Sequence, residues 1–447
     1  MNIDINIYYW DKMSDLEKKN VLVRPSFSYS KKVKRDVKKI LNNVKKSGDL
    51  AVHKYNFLLD KIKLTEIKIN CDKIKEEDIL VSKMFKKSIL HAKKNIEKFH
   101  NLQKRYKKTS ILIEHGINCR YIEKPISNVG IYIPKGVRSN LFSTMLMLCI
   151  PAKIAGCKNI VVCSPPSISN ELLYTAKICN IKNVFQVGGA QAIAAMAFGT
   201  NSIAKVDKIF GPGNFYVTEA KNQVSKMNLG VSIDMLAGPS ELVIIADKYS
   251  NAGFIASDLI AQLEHGKDSH TILLSNSISL IKKVYKEINL QILDLPRKAI
   301  VKASLLNSKF IFSKDLLKCI HISNIYAPEH LSIYSENYNV LLKYVENAGS
   351  IFLGSWSAVA IGDYCSGTNH VLPTYGYASS VSGIGLKDFI KNITIQELTC
   401  KGFLKVSNTV EILSNSEGLD GHERSIKIRN KYLKETKNFE LQKTSKI

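Results

Sequence analysis

No two of the nine cysteines stand at Cys-x-x-Cys spacing, so neither a zinc ribbon nor a thioredoxin-like redox motif is encoded. Long apolar runs are also missing. The most apolar stretch, Leu141 to Ile150, contains Ser143 and Thr144 and meets Pro151; it is too short to span a bilayer. The opening Met1-Asn2-Ile3-Asp4 shows no basic region ahead of an apolar core, which argues against a secretory signal. Reduced thiols without a membrane partner point to the cytoplasm. Acidic residues are scarce: 39 Asp and Glu face 64 Lys and Arg, for a net charge of +25. Such an excess can serve a phosphate backbone. No basic run is interleaved with stacking aromatics, however. Lysine-rich exposed faces are the simpler reading, and no nucleic-acid partner is expected.

What is present is a chain of 447 residues, 45% hydrophobic, long enough for more than one core. Residues 31 to 46 place Val33, Val37, Ile40, Leu41 and Val44 on one helical face, with lysines on the solvated side. From Ser30 to about Tyr121 the pattern reads as mostly helical. From about residue 129 short apolar strands alternate with helices. Strands are predicted at Ile131–Ile133, Ile160–Cys163, Val184–Val187 and Val206–Phe210, and again at Leu242–Ala246, Thr271–Ser275, Phe310–Phe312 and Ile351–Leu353. Helices are predicted between them, among them Leu141–Ala155, Asn170–Cys179 and Gln191–Phe198. Alternation of this kind implies βαβ units. The expected fold class is α/β, with two doubly wound, Rossmann-like parallel sheets and small terminal extensions. The expected division is an N-terminal extension over 1–28, a discontinuous first domain over 29–131 and 241–384, a second over 132–240, and a polar helical C-terminal tail over 385–447. Ligands of such sheets sit in loops at the carboxyl ends of strands.

Five constellations could carry chemistry. Gln262 and His265 share one face at the end of a helix stopped by Gly266. Both can ligate a metal, yet spacing alone favours a helix-end histidine suited to the dipole. Ala327-Pro328-Glu329-His330 puts an acid beside a base, after a strand-like segment Ile322–Tyr326; it suits proton transfer and reads equally as a surface dipeptide. Gly362 to Thr374 is turn-rich and holds Asp363, Cys365 and His370. A thiol-dependent aldehyde dehydrogenase using Cys365 is the rival enzyme, although nothing nearby in sequence marks a lowered pKa. Glu417 to Arg424 sets Glu417 and His422 on the tail. Phe210-Gly211-Pro212-Gly213-Asn214 and Val187-Gly188-Gly189-Ala190-Gln191 are strand–turn–helix junctions whose amides could approach a phosphate, without the Gly-x-Gly-x-x-Gly fingerprint.

Together these runs resemble the histidinol dehydrogenase family. Val129-Gly130-Ile131-Tyr132-Ile133-Pro134, Val217-Thr218-Glu219-Ala220-Lys221, Asp234 to Glu241, Gln262-Leu263-Glu264-His265 and Ala327-Pro328-Glu329-His330 occur in the family's order over nearly the whole chain. The resemblance implies oxidation of L-histidinol to L-histidine in two NAD-dependent steps through an enzyme-held aldehyde. It implies zinc ligands Gln262, His265, Asp363 and His422 in a homodimer with a shared site, His422 coming from the partner chain. It further implies His330 as base for the alcohol step and Glu329 as activator of water. Ser240, His370 and Glu417, with the metal ligands and His330, would contact substrate; Tyr132, Gln191 and Asn214 would contact NAD. The chain departs from the family at Lys135, where a glycine is usual, at Val137 to Asn140, and at Gly421 and Ser425, where alanine is common.

Overall fold

The computed structural model describes residues 6–25, 31–104, 110–136, 140–235 and 238–444. Val137, Arg138 and Ser139 of the altered loop, and Leu236 and Ala237, lie outside the described residues, as does Met1-Asn2-Ile3-Asp4. The chain divides into two compact units: residues 1–104 with 125–389, and residues 105–124 with 390–447.

The larger unit contains two six-stranded sheets. One runs Lys68–Asn70, Asn183–Gln186, Asn159–Ser164, Asn128–Tyr132, Lys208–Phe210, Ser232–Ile233, parallel except for the first strand. The other is parallel throughout and runs Ile7–Tyr9, Lys309–Phe312, His270–Ser275, Glu241–Ala246, His330–Tyr334, Ser350–Leu353. Each carries apolar clusters on both faces, as parallel sheets require. The doubly wound α/β fold is therefore as expected. In each sheet the strand order reverses once near the middle: beside Asn128–Tyr132 in the first, and beside Glu241–Ala246 in the second.

The division of the chain between the sheets differs from expectation. Among the described residues, no strand within 29–131 pairs in the sheet built by 241–353. The helix Lys31–Asp60 packs on Gly189–Phe198, and Lys83–Leu102 packs on Phe142–Ala155. Strands Lys68–Asn70 and Asn128–Tyr132 pair within the sheet made by residues 159–233. An amphipathic pattern tells that a helix covers a sheet, not which sheet it covers. The N-terminal extension also adds a strand to the second sheet, Ile7–Tyr9 pairing with Phe310–Phe312. As the pattern implied, Val37, Ile40, Leu41 and Val44 are buried and the intervening lysines exposed.

The run Leu141–Ile150 forms a core helix, Phe142–Ala155, that passes through Pro151. No helix of the described residues is long and apolar enough to cross a membrane. In the smaller unit, Ser110–Glu114, Ile117–Pro125 and Ile390–Leu398 form a three-stranded sheet, where mostly helical structure was expected. Helices Cys400–Ser416 and Asp420–Thr444 follow.

Candidate active site

Two polar clusters lie on opposite edges of the two sheets. In the first sheet, Tyr132 ends its strand at the carboxyl edge, next to the strand that ends in Phe210. This is the point where strand order reverses, the usual ligand position in such folds. The strand's alternation turns Ile131 and Ile133 to one core and Tyr132 to the other. The Tyr132 hydroxyl accepts the Gly189 N–H at 3.1 Å, and burial pushes its pKa up to about 12. Gln191 is buried, and its Oε1 has no hydrogen-bond partner among the described residues. Asn214 is exposed and caps the helix Phe215–Ser225, its Oδ1 accepting from the amides of Tyr216 and Val217 at 3.0 and 3.2 Å. Gly211 is held on both sides. Its N–H donates to Asp234 at 2.8 Å and its carbonyl accepts from Lys221 at 2.9 Å. At φ 118° any Cβ on Gly211 would stand 2.1 Å from the Tyr132 carbonyl oxygen, so only glycine fits. Lys135, the departure beside Tyr132, donates to the Pro166 carbonyl at 3.3 Å.

The second cluster corrects the expectation that every ligand loop lies at a carboxyl edge. Ile322–Tyr326 is not strand-like. It closes the helix Leu316–Tyr326, whose cap Ala327 is left-handed at φ 50°. The chain turns through Pro328 straight into the strand His330–Tyr334, so Glu329 and His330 stand at the amino edge of their sheet. Glu241 and His270 begin the neighbouring strands on that edge. A helix that joins two parallel strands must run back to the amino edge, which carries Gln262 and His265 there at the end of Ala252–Leu263; Val359–Tyr364, after the last strand, brings Asp363 to 3.9 Å from His330.

Glu329 is buried; one carboxylate oxygen accepts the Glu241 N–H at 2.8 Å and lies 3.6 Å from His330 Nδ1. His330 Nδ1 also approaches the Glu241 carbonyl at 3.3 Å, and its Nε2 lies 3.9 Å from Asp363. Burial disfavours the imidazolium. Glu329, Asp363 and the Glu241 carbonyl outweigh it and raise the His330 pKa to about 9. His370 Nδ1 bonds the Asp363 carbonyl at 2.7 Å; burial drives its pKa down, and His330 and His265 add to that push. Gln262 is buried, and among the described residues neither its Oε1 nor its Nε2 has a hydrogen-bond partner. An amide so placed costs stability unless something outside the protein satisfies it. His265 is exposed one residue past the helix cap. Ser240, half-buried, precedes the strand and gives its carbonyl to the His270 N–H at 3.3 Å. In the smaller unit Glu417 caps Cys400–Ser416 and His422 lies in the first turn of Asp420–Thr444, both exposed.

A family model for histidinol dehydrogenase matches residues 24–430. The chain belongs to the histidinol dehydrogenase family. It is an oxidoreductase. Histidinol dehydrogenase from Buchnera aphidicola subsp. Baizongia pistaciae is 53% identical over 429 residues, covering 96% of this chain and 98% of the relative. That of Escherichia coli strain K12 is 46% identical over 426 residues, with 95% and 98% coverage. The crystal structure of histidinol dehydrogenase from Elizabethkingia anophelis superposes with a TM-score of 0.91 at 43% identity, covering 97% and 99% of the two chains.

Cys365 Sγ stands 3.7 Å from Asn95 and 4.0 Å from His91 on Lys83–Leu102, away from the Glu329–His330 pair, and it is the family match that sets the thiol reading aside. Sequence reasoning missed Glu241, which bonds Glu329 and His330, and Arg24, His270, Tyr326 and Tyr375, which gather around it. One signal was available: Glu241 heads an otherwise apolar run, Leu242-Val243-Ile244-Ile245-Ala246, and a carboxylate buried there demands a cation.

Proposed function

We propose that this chain catalyses two successive NAD-dependent oxidations, L-histidinol to histidinaldehyde and histidinaldehyde to L-histidine, in the cytoplasm. The observation that supports the reading is the buried acid–base pair, Glu329 and His330, with Asp363 3.9 Å from the imidazole and the Gln262 amide left unpaired among the described residues. Those residues hold no group of three His, Cys, Asp or Glu side chains close enough to bind a metal. Gln262, His265 and Asp363, with His422 of the partner subunit, would hold zinc. The donor set suits it, since imidazole and carboxylate are ordinary zinc ligands and the unpaired Gln262 amide gains a partner. When bound, the metal supplies a Lewis-acid grip on the substrate's imidazole and amine.

His330 takes the hydroxyl proton in the alcohol step. Glu329 and Asp363 hold a proton on that imidazole in the arrangement described. With Asp363 committed to a cation, one of the two carboxylates no longer does so, and the imidazole moves down toward the range useful for a base. Glu329 takes a proton from water in the aldehyde step. Ser240, His370 and Glu417 orient substrate. Tyr132, Gln191 and Asn214 contact NAD, where the unpaired Gln191 oxygen can accept from a ribose hydroxyl or carboxamide. A homodimer with shared sites is supported by the exposed Ile412, Leu413, Ile428 and Tyr432 of the smaller unit, an apolar set suited to a second copy.

The stoichiometry of NADH formed per histidinol consumed tests the reading. Two equivalents with histidine as product are expected. A single equivalent with free aldehyde, or no turnover, would overturn it.

A further inference from the structure

Among the described residues, two non-glycine positions near the acid–base pair hold left-handed backbone: Ala327 at φ 50° and Tyr375 at φ 59°. Such conformations persist only where the surroundings enforce them, and they gather at functional sites. Ala327 is two residues before Glu329, and Tyr375 follows the loop that carries His370.

One buried ion pair reaches both. The Arg24 guanidinium bonds the Glu241 carboxylate through Nε at 3.1 and 3.3 Å and through Nη2 at 2.8 Å. The side chains are only 14% and 0% exposed. Nη2 also donates to the carbonyls of Tyr326 at 2.5 Å and Ala327 at 3.3 Å, and the guanidinium lies 3.8 Å from the centre of the Tyr326 ring. On the other side Glu241 Oε1 accepts the Tyr375 N–H. A Cβ at Gly376 would stand 3.1 Å from Arg24 Nη1, so the loop's backbone rests against the same group. The backbone of Glu241 meanwhile donates its N–H to Glu329 and offers its carbonyl to His330. Tyr326 is fixed in turn by a hydrogen bond between its hydroxyl and His270 Nε2.

We propose that Arg24 and Glu241 form a positioning clamp for Glu329 and His330, holding the left-handed turns at Ala327 and Tyr375 that set their approach to substrate; the proposal rests on the acid–base reading given above. Neither residue touches the reacting atoms. The fork geometry of arginine matters, because one guanidinium satisfies a carboxylate and two carbonyls at once. Lysine keeps the charge and loses the fork.

The test uses the full-length, metal-loaded enzyme with Glu241→Gln, which keeps side-chain shape, and Arg24→Lys, which keeps charge. Urea unfolding of the same samples gives the folded fraction. Per folded enzyme, kcat is expected to fall on the order of 10²-fold, the scale of a misplaced catalytic group, with KM for histidinol and bound metal little changed. Amide exchange over residues 326–332 and 373–378 is expected to accelerate about tenfold or more, with residues 242–246 unaffected, as for a local opening. Unchanged kcat in folded variants, or unchanged exchange in those two segments, overturns the clamp. If the wild type does not oxidise histidinol, the functional reading fails, and the exchange result still decides whether the pair holds the turns.

Discussion

The Lys221 ammonium and the Asp234 carboxylate form an ion pair in the interior, their side chains 3% and 1% exposed, and between them they grip both polar groups of Gly211. The lysine donates to its carbonyl and the aspartate accepts its N–H. Charges that far from water survive only when paired and hydrogen-bonded. The pair therefore fixes the turn that follows Phe210, at the reversal point where the dinucleotide is proposed to bind.

Replacing Lys221 with methionine leaves Asp234 buried beside an apolar side chain. Loss of about 3–5 kcal/mol of stability is expected, the usual cost of breaking a buried pair. In the fraction that folds, NAD affinity should fall while zinc content stays intact. Urea midpoints and NAD titration by calorimetry provide the check. A variant as stable as the wild type with unchanged affinity would show that Gly211 needs no such anchor.

Stability should also report His270. Burial, assisted by Arg24 and Lys309, depresses its pKa from 6.5 to about 4. Between those values the unfolded imidazole is protonated and the folded one is not, so the unfolded state binds more protons. Stability is therefore lost as pH falls through that window, at up to roughly 1.4 kcal/mol per pH unit from this group. Below about pH 4 both states are protonated and the contribution stops changing. Carboxylates add their own slope, so the comparison is with His270→Gln, whose urea-derived stability should vary less steeply with pH. Parallel curves for the two proteins would contradict the neutral, buried assignment.

The Gln262 amide offers a test with opposite signs. If it ligates metal, Gln262→Leu should lower zinc affinity and activity together, and chelation of the wild type should abolish turnover that added zinc restores. If it ligates nothing, the same change removes two buried unpaired polar atoms and should stabilise the fold. Elemental analysis of the purified protein, with about one metal per chain expected for a mononuclear site, separates the outcomes. Full metal content with raised stability would remove Gln262 from the ligand set.

The alternation of apolar strands and helices after residue 129 was enough to place most of the doubly wound strands. Both sheets obey a period that local sequence carries. Four strands escaped it or nearly so. Ile7–Tyr9 and Ser232–Ile233 are too short to show alternation, Lys68–Asn70 is polar, and His330–Tyr334 opens with the residues that mark the site. Which sheet each N-terminal helix covers depends on contacts between residues far apart in sequence, as between Lys31–Asp60 and Gly189–Phe198. The acid–base pair was legible as a dipeptide, and the resemblance supplied its role. Its surroundings were not, because Arg24, Glu241 and Tyr375 are brought together only by folding. Asn214 shows the reverse: a residue read for the cofactor also serves as an ordinary helix cap, which local sequence would have predicted.

The last prediction divides labour between Glu329 and His330. Adjacent residues at a strand start normally point to opposite faces, yet here Glu329 lies 3.6 Å from His330 Nδ1. The hydrogen bond from the Glu241 amide holds the carboxylate beside the ring. Both groups can then serve one substrate in turn. Alcohol oxidation needs a base for the hydroxyl proton as hydride leaves, and aldehyde oxidation needs a base for an attacking water. Glu329→Gln keeps the side chain's shape and can still accept the Glu241 N–H, so the fold should be retained. It should slow histidinaldehyde oxidation more severely than hydride transfer from histidinol. His330→Asn should do the reverse, with losses of about 10²–10⁴ expected for removal of a general base. Single-turnover NADH formation, measured separately from histidinol and from histidinaldehyde, resolves the two steps. Equal losses in both steps for both variants would mean that the pair acts as one unit, and the division of roles would have to be abandoned.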